Sequence, residues 1–126
     1  MRTRRLANLL LAITFGLALV ISSGRLALAH AVLLEATPAA DSAVAGPDVA
    51  VKLRFNVRID RSRSRLTLAL PDGKTTPLKI DDEGGSDTLS ARATGLGPGT
   101  YHLHWQVLAA DGHITRGDLP FRISRS

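Results

Sequence analysis

The sequence predicts an all-β protein, an antiparallel β-sandwich, on two observations. From residue 30 onward, short runs carry apolar residues at every second position, and glycine, proline and acidic turns separate these runs at spacings of roughly 8–12 residues. No segment after residue 30 shows the 3.6-residue apolar period and end caps of a helix. Six or seven such strands bury their apolar faces by packing as two sheets.

The first run is His30 to Glu35 (HAVLLE). Pro38, Gly46 and Pro47, with small residues between them, read as a loop. Val49, Val51, Leu53 and Phe55 then alternate with Ala50, Lys52, Arg54 and Asn56, a strand with one wet face. Leu66, Leu68 and Leu70 form the next apolar face, and Pro71-Asp72-Gly73-Lys74 is a turn with glycine where a positive φ is needed. The run Thr75 to Ile80 returns to complete a hairpin, and Asp81 to Asp87, rich in acids and glycine, is a loop. Leu89, Ala91 and Ala93 alternate more weakly and end at Gly95-Leu96-Gly97-Pro98-Gly99. Tyr101, Leu103, Trp105 and Val107 alternate with His102, His104 and Gln106, and a last strand is expected over Leu119 to Ile123. Trp105 is expected in the core, because a sandwich of this size needs a large apolar centre.

Residues 1–29 follow a different pattern. Arg2, Arg4 and Arg5 precede an uncharged run from Leu9 to Ile21, and Ala27-Leu28-Ala29 supplies small residues for a peptidase. That order is a secretory signal peptide. Its apolar run is short of the roughly 20 residues a membrane span needs. Cutting after Ala29 leaves residues 30–126 as one small domain. Ala29-His30-Ala31 also has the small-x-small form, so a cut after Ala31 is the competing site.

The charge changes with the cut. Four of the sixteen basic residues (Arg2, Arg4, Arg5, Arg25) and none of the eleven acidic ones lie in the leader, so the formal charge falls from +5 to +1. The basicity is an export signal, and no nucleic-acid partner is expected. The cluster Arg58, Arg61, Arg63 and Arg65 reads as a charged strand edge. With no cysteine and no methionine beyond Met1, the mature chain holds no disulfide, thiolate or thioether. A soluble domain is left with packing, and a metal, to stabilise it.

Chemistry then rests on four histidines. After cleavage at Ala29, His30 becomes the first residue, and its α-amine and imidazole Nδ1 can close on one metal as a chelate. Asp111-Gly112-His113 lies between two strands, and a glycine bend there can turn a carboxylate and an imidazole towards one point. Each feature has an ordinary explanation, a chance histidine in one case and turn chemistry in the other. Together they make a nitrogen and oxygen donor set, which in a tetragonal plane suits Cu(II) or Ni(II). Zinc competes, with a tetrahedral preference. His102 and His104, at i and i+2, share the strand face opposite Tyr101, Leu103 and Trp105. They read either as two polar residues on a wet face or as a second, weaker metal site.

His30-Ala31-Val32-Leu33, Thr37-Pro38-Ala39 with Gly46-Pro47, Val51-Lys52-Leu53-Arg54-Phe55-Asn56, and Gly99-Thr100-Tyr101 leading through Trp105 to Asp111-Gly112-His113 and Gly117 resemble the CopC (PcoC) family of periplasmic copper-resistance proteins. The resemblance covers essentially all of residues 30–126. It implies a seven-stranded antiparallel Greek-key β-sandwich, immunoglobulin-like or cupredoxin-like. It also implies one Cu(II) per chain, held by a histidine brace at His30 with His113 as second imidazole and Asp111 as carboxylate. The Met-rich Cu(I) loop of some members has no counterpart here, and Ile114 stands where the family usually has proline.

The expected protein is therefore a periplasmic, monomeric Cu(II) carrier or buffer without enzymatic activity, and the resemblance implies an inner-membrane copper transporter of the CopD type as partner. Two rival readings are a histidine-brace copper monooxygenase and a metal-free immunoglobulin-like interaction module. An Asp ligand filling the copper plane and short loops without a substrate platform weigh against the first.

Overall fold

The computed structural model describes residues 30–125; the expected signal peptide, residues 1–29, lies outside the described residues. Eight strands follow in order: β1 (Leu33–Thr37), β2 (Ser42–Val44), β3 (Val49–Phe55), β4 (Ile59–Ala69), β5 (Thr75–Leu78), β6 (Thr88–Ala93), β7 (Gly99–Ala109) and β8 (Ile114–Ile123). They form a three-stranded sheet, β1-β3-β6, and a five-stranded sheet, β2-β8-β7-β4-β5. Among the described residues no helix is long and apolar enough to cross a membrane.

The alternation read from the sequence is the alternation of burial. Val49, Val51, Leu53 and Phe55 from one sheet face Leu66, Leu68, Tyr101, Leu103, Trp105, Val107, Leu119, Phe121 and Ile123 from the other in one core. Phe55 meets Trp105 edge-on with ring centroids 5.2 Å apart, and Tyr101 stacks on Phe121 at 5.6 Å. Such pairs add about 0.5–1.5 kcal/mol each beyond the area they bury. The Tyr101 hydroxyl donates to the Gly97 carbonyl (2.7 Å), tying the glycine-rich loop to the start of β7.

Eight strands stand where seven were expected, and one pairing is not antiparallel. β2 lies in the segment read as a loop and pairs parallel with β8, Ser42 opposite Phe121 and Val44 opposite Ile123. Its three residues carry no alternation to reveal it; it is a strand because the β8 edge offers backbone partners. The chain also crosses between the sheets five times, staying in one sheet only from β4 to β5 and from β7 to β8. β1 leaves the three-stranded sheet at Thr37 and the chain joins the five-stranded one at Ser42, while Ile80, just beyond β5, bridges back to Ala91 of β6.

β4 carries a wide bulge. Asp60 pairs with Leu108 and Arg65 with Gln106, so the residues between them loop out of the ladder. Buried Ser64 closes the gap: its hydroxyl donates to the Asp60 carbonyl (2.7 Å) and accepts the Leu108 N–H (3.2 Å). The arginine-rich segment is thus a local edge, as its charges suggested, because β5 pairs only with Leu66–Ala69. Arg61 does more than solvate that edge. Its guanidinium donates to the carbonyls of Asp82, Gly84 and Gly85 and holds the acidic loop in place.

Candidate metal centre

β7 and β8 form a long hairpin whose turn is the Asp-Gly-His segment. The Gly112 N–H donates to the Ala109 carbonyl and the Ala109 N–H to the His113 carbonyl, both at 2.9 Å. Gly112 has φ +91°, and nothing lies within 4 Å of the position a Cβ would take, so the turn needs glycine for its backbone conformation and not for space. The Asp111 carboxylate accepts the His113 backbone N–H (3.1 Å) and faces His113 Nδ1 (3.2 Å). The backbone N–H of His113 holds the Asp111 carboxyl below the usual carboxylate range; burial opposes it, and the His113 side chain adds to the lowering.

His30 reaches the turn from the other sheet. Ala31 is buried in the core, and the Val32 main chain is bonded twice to Asn56 at the end of β3: its N–H donates to the Asn56 side-chain oxygen (2.7 Å) and its carbonyl accepts the Asn56 N–H (3.0 Å). These anchors set the exposed His30 ring 5.6 Å, centroid to centroid, from the His113 ring. Two residues some eighty positions apart in the chain are neighbours at one end of the sandwich.

The geometry brings Asp111 and His113 into direct contact and lays His30 beside them, without converging the three. Among the described residues no group of three or more His, Asp or Glu side chains is arranged as a ready metal cluster. The donors nonetheless fit. Neighbouring ligands at about 2.0–2.1 Å from a first-row ion stand roughly 2.9 Å apart in a square plane and roughly 3.4 Å apart in a tetrahedron, a range that includes the 3.2 Å between Asp111 and His113. The half-exposed rings of His30 and His113 are free to turn towards the same point. A fourth donor, the His30 α-amine, exists only once the bond to Ala29 is cut.

His102 and His104 lie on the outer face of the five-stranded sheet, away from this end. Asp118 of β8, a residue that sequence reading did not single out, sits directly across from His104. The signal was present. The hairpin folds about Asp111, so residues seven places before and after it pair, and these are His104 and Asp118.

The two-sheet β-sandwich is the fold of a class of small copper-resistance proteins. Residues 33–124 match the family described as the CopC domain, and the chain belongs to that family. It is 32% identical over 98 residues to Protein YobA of Escherichia coli K12, an alignment covering 75% of this chain and 79% of that one. It is 30% identical over 106 residues to Copper resistance protein C of E. coli, covering 77% and 83%. Among solved structures, CopC from Methylosinus trichosporium OB3b superposes with a TM-score of 0.70 at 29% identity, covering 75% of this chain and 94% of that one. PcoC of E. coli, described as a methionine-rich copper resistance protein, gives 0.63 at 26% identity, covering 76% and 100%.

Proposed function

We propose that this protein is an exported copper-binding protein of copper resistance that carries or buffers one Cu(II) outside the cytoplasm. The ion is held by the α-amine and Nδ1 of His30, the imidazole of His113 and the carboxylate of Asp111. The observation that carries this reading is the juxtaposition of the Asp111-Gly112-His113 turn with His30, ring to ring at 5.6 Å. Support comes also from the copper-resistance names borne by relatives and from the donor chemistry, since nitrogen and oxygen ligands in a tetragonal plane suit Cu(II). In the mature chain no thiolate or thioether is available for Cu(I).

Each residue has a distinct role. His30 supplies the chelate, and buried Ala31 with the Val32–Asn56 bonds fixes where that chelate stands. The same burial bears on the cut site. Cleavage after Ala31 would delete a core side chain as well as the brace, whereas cleavage after Ala29 leaves the fold intact and frees the amine. Asp111 holds the turn through the His113 N–H and adds the anionic donor. Amine and imidazoles must shed their protons to bind the ion, so acid competes with copper and affinity falls as pH falls. Release follows when a partner, an inner-membrane transporter of the CopD type, takes over the ligands; the carrier itself works as a monomer and turns over no substrate.

Intact mass spectrometry of the exported protein tests this reading. The expected species begins at His30 and gains the mass of one copper ion when Cu(II) is supplied. A chain that begins at Val32, or one that begins at His30 and takes up no copper, would overturn it. Given reductant and oxygen, the copper-loaded protein should show no sustained, substrate-dependent oxygen consumption.

A further inference from the structure

The second histidine pair is organised by a carboxylate. His102 and His104 project from the same face of β7, with ring planes 18° apart and centroids 6.3 Å apart. Asp118 stands between them on β8: one oxygen lies 3.0 Å from His102 Nδ1 and the other 3.0 Å from His104 Nδ1. All three side chains are about half exposed.

A carboxylate only accepts hydrogen bonds, so each Nδ1 must carry the proton it donates. In their neutral forms both rings are thereby fixed as Nδ1–H tautomers, which leaves both Nε2 lone pairs free on an open sheet face. Metal-binding histidines are commonly prepared in this way, with the far nitrogen held by a carboxylate that fixes the tautomer and raises ligand basicity. Here one carboxylate serves two rings. From this arrangement we infer that His102 and His104 form a second cation site, taking one divalent first-row ion, Cu(II) most tightly, through their two Nε2 atoms, with Asp118 as positioning residue.

Imidazole donors suit copper, nickel and zinc, and copper stands highest of these in the affinity order. The site has two protein donors and water for the rest, consistent with the absence of any three-residue metal cluster among the described residues. It is therefore weaker than a four-donor brace. Two nitrogens on one first-row ion stand no more than about 4.2 Å apart, so seating it must bring the rings, 6.3 Å apart at their centroids, together by rotation about χ1 and χ2 on the exposed face. At about 3.4 Å per strand residue, His104 lies roughly 20 Å along the hairpin from the Asp111 turn. The two sites share no ligand, and the second does not depend on the first.

The test uses the mature protein with the brace disabled, by His30→Ala and His113→Ala together, and Cu(II) alone as the probe. Titration followed by calorimetry and electron paramagnetic resonance should still show one saturable equivalent with nitrogen coupling. Adding His102→Ala or His104→Ala should weaken that equivalent at least 10-fold. Asp118→Asn keeps both imidazoles and should weaken it roughly 10-fold, the lower end of the range for loss of a supporting carboxylate. Without metal, ¹⁵N spectra should show His102 and His104 as Nδ1–H tautomers, with this preference lost in Asp118→Asn. No saturable binding in the brace-disabled protein, or binding unchanged in the His102→Ala/His104→Ala double variant, would overturn the proposal. Failure of the brace itself would appear separately, as an unmodified protein that binds no more copper than the disabled one.

Discussion

A methyl group added at Gly117 would stand 2.2 Å from the Trp105 ring, inside any allowed contact. Gly117 pairs with Trp105 across the β7–β8 ladder, and the indole occupies the space its side chain would take. The tryptophan is the largest side chain of the core and packs edge-on against Phe55, so shifting it to admit a methyl would disturb that packing. Gly117→Ala should therefore destabilise the fold by about 1–3 kcal/mol or more, as overpacked cores do, read from the urea midpoint. A loss under about 0.5 kcal/mol, the range of ordinary surface changes, would show that the indole has room. The same residue explains why β8 was read too short. Its first half shows no apolar alternation because the inward position at 117 is filled from the neighbouring strand.

At the scale of elements, the sandwich is legible wherever a strand's own side chains alternate, as in β3, β7 and the inner half of β4. It is not legible where pairing alone makes the strand. β2 has three residues and owes its form to the β8 edge, and the β4 bulge is closed by a serine whose importance only appears once Asp60 and Leu108 are neighbours. β1 is joined to β3 by a two-bonded ion pair, Arg54 Nη2 to Glu35 at 2.9 Å and Nε at 3.2 Å. The Arg54 guanidinium, by hydrogen bond and by charge, holds the Glu35 carboxyl below its ordinary range. A folded-state pKa lower than the unfolded one stabilises the protein above the unfolded value, near 4.3, and that contribution is lost as pH falls through the folded value. Carboxyl NMR titration should give Glu35 a midpoint below about 4.3 in the native protein, returning towards it in Arg54→Met. An unshifted midpoint would mean that the pair does not persist in solution, as holds for many exposed pairs.

For the whole molecule, half of the candidate site is legible in the sequence. The Asp111-Gly112-His113 turn is local and announces itself. His30 reaches it only through the fold, and its value as a ligand depends on a cleavage that the sequence suggests through the order of residues 1–29. Asp118, by contrast, follows from hairpin arithmetic about Asp111, although no apolar pattern in β8 marks it. Burial of Ala31 and the bonding of Val32 to Asn56 hold His30 beside His113, so on the proposed cleavage after Ala29 the new α-amine would stand close to that ring. The measurement that tests this most directly compares Cu(II) affinity, by chelator competition at fixed pH, for the chain beginning at His30 and the same chain with four histidine-free residues added before it. The extension turns the amine into an amide and should weaken binding by roughly 100-fold or more, about 2.7 kcal/mol, with loss of the nitrogen-rich tetragonal signal. Equal affinity in the two proteins would contradict a histidine brace at His30.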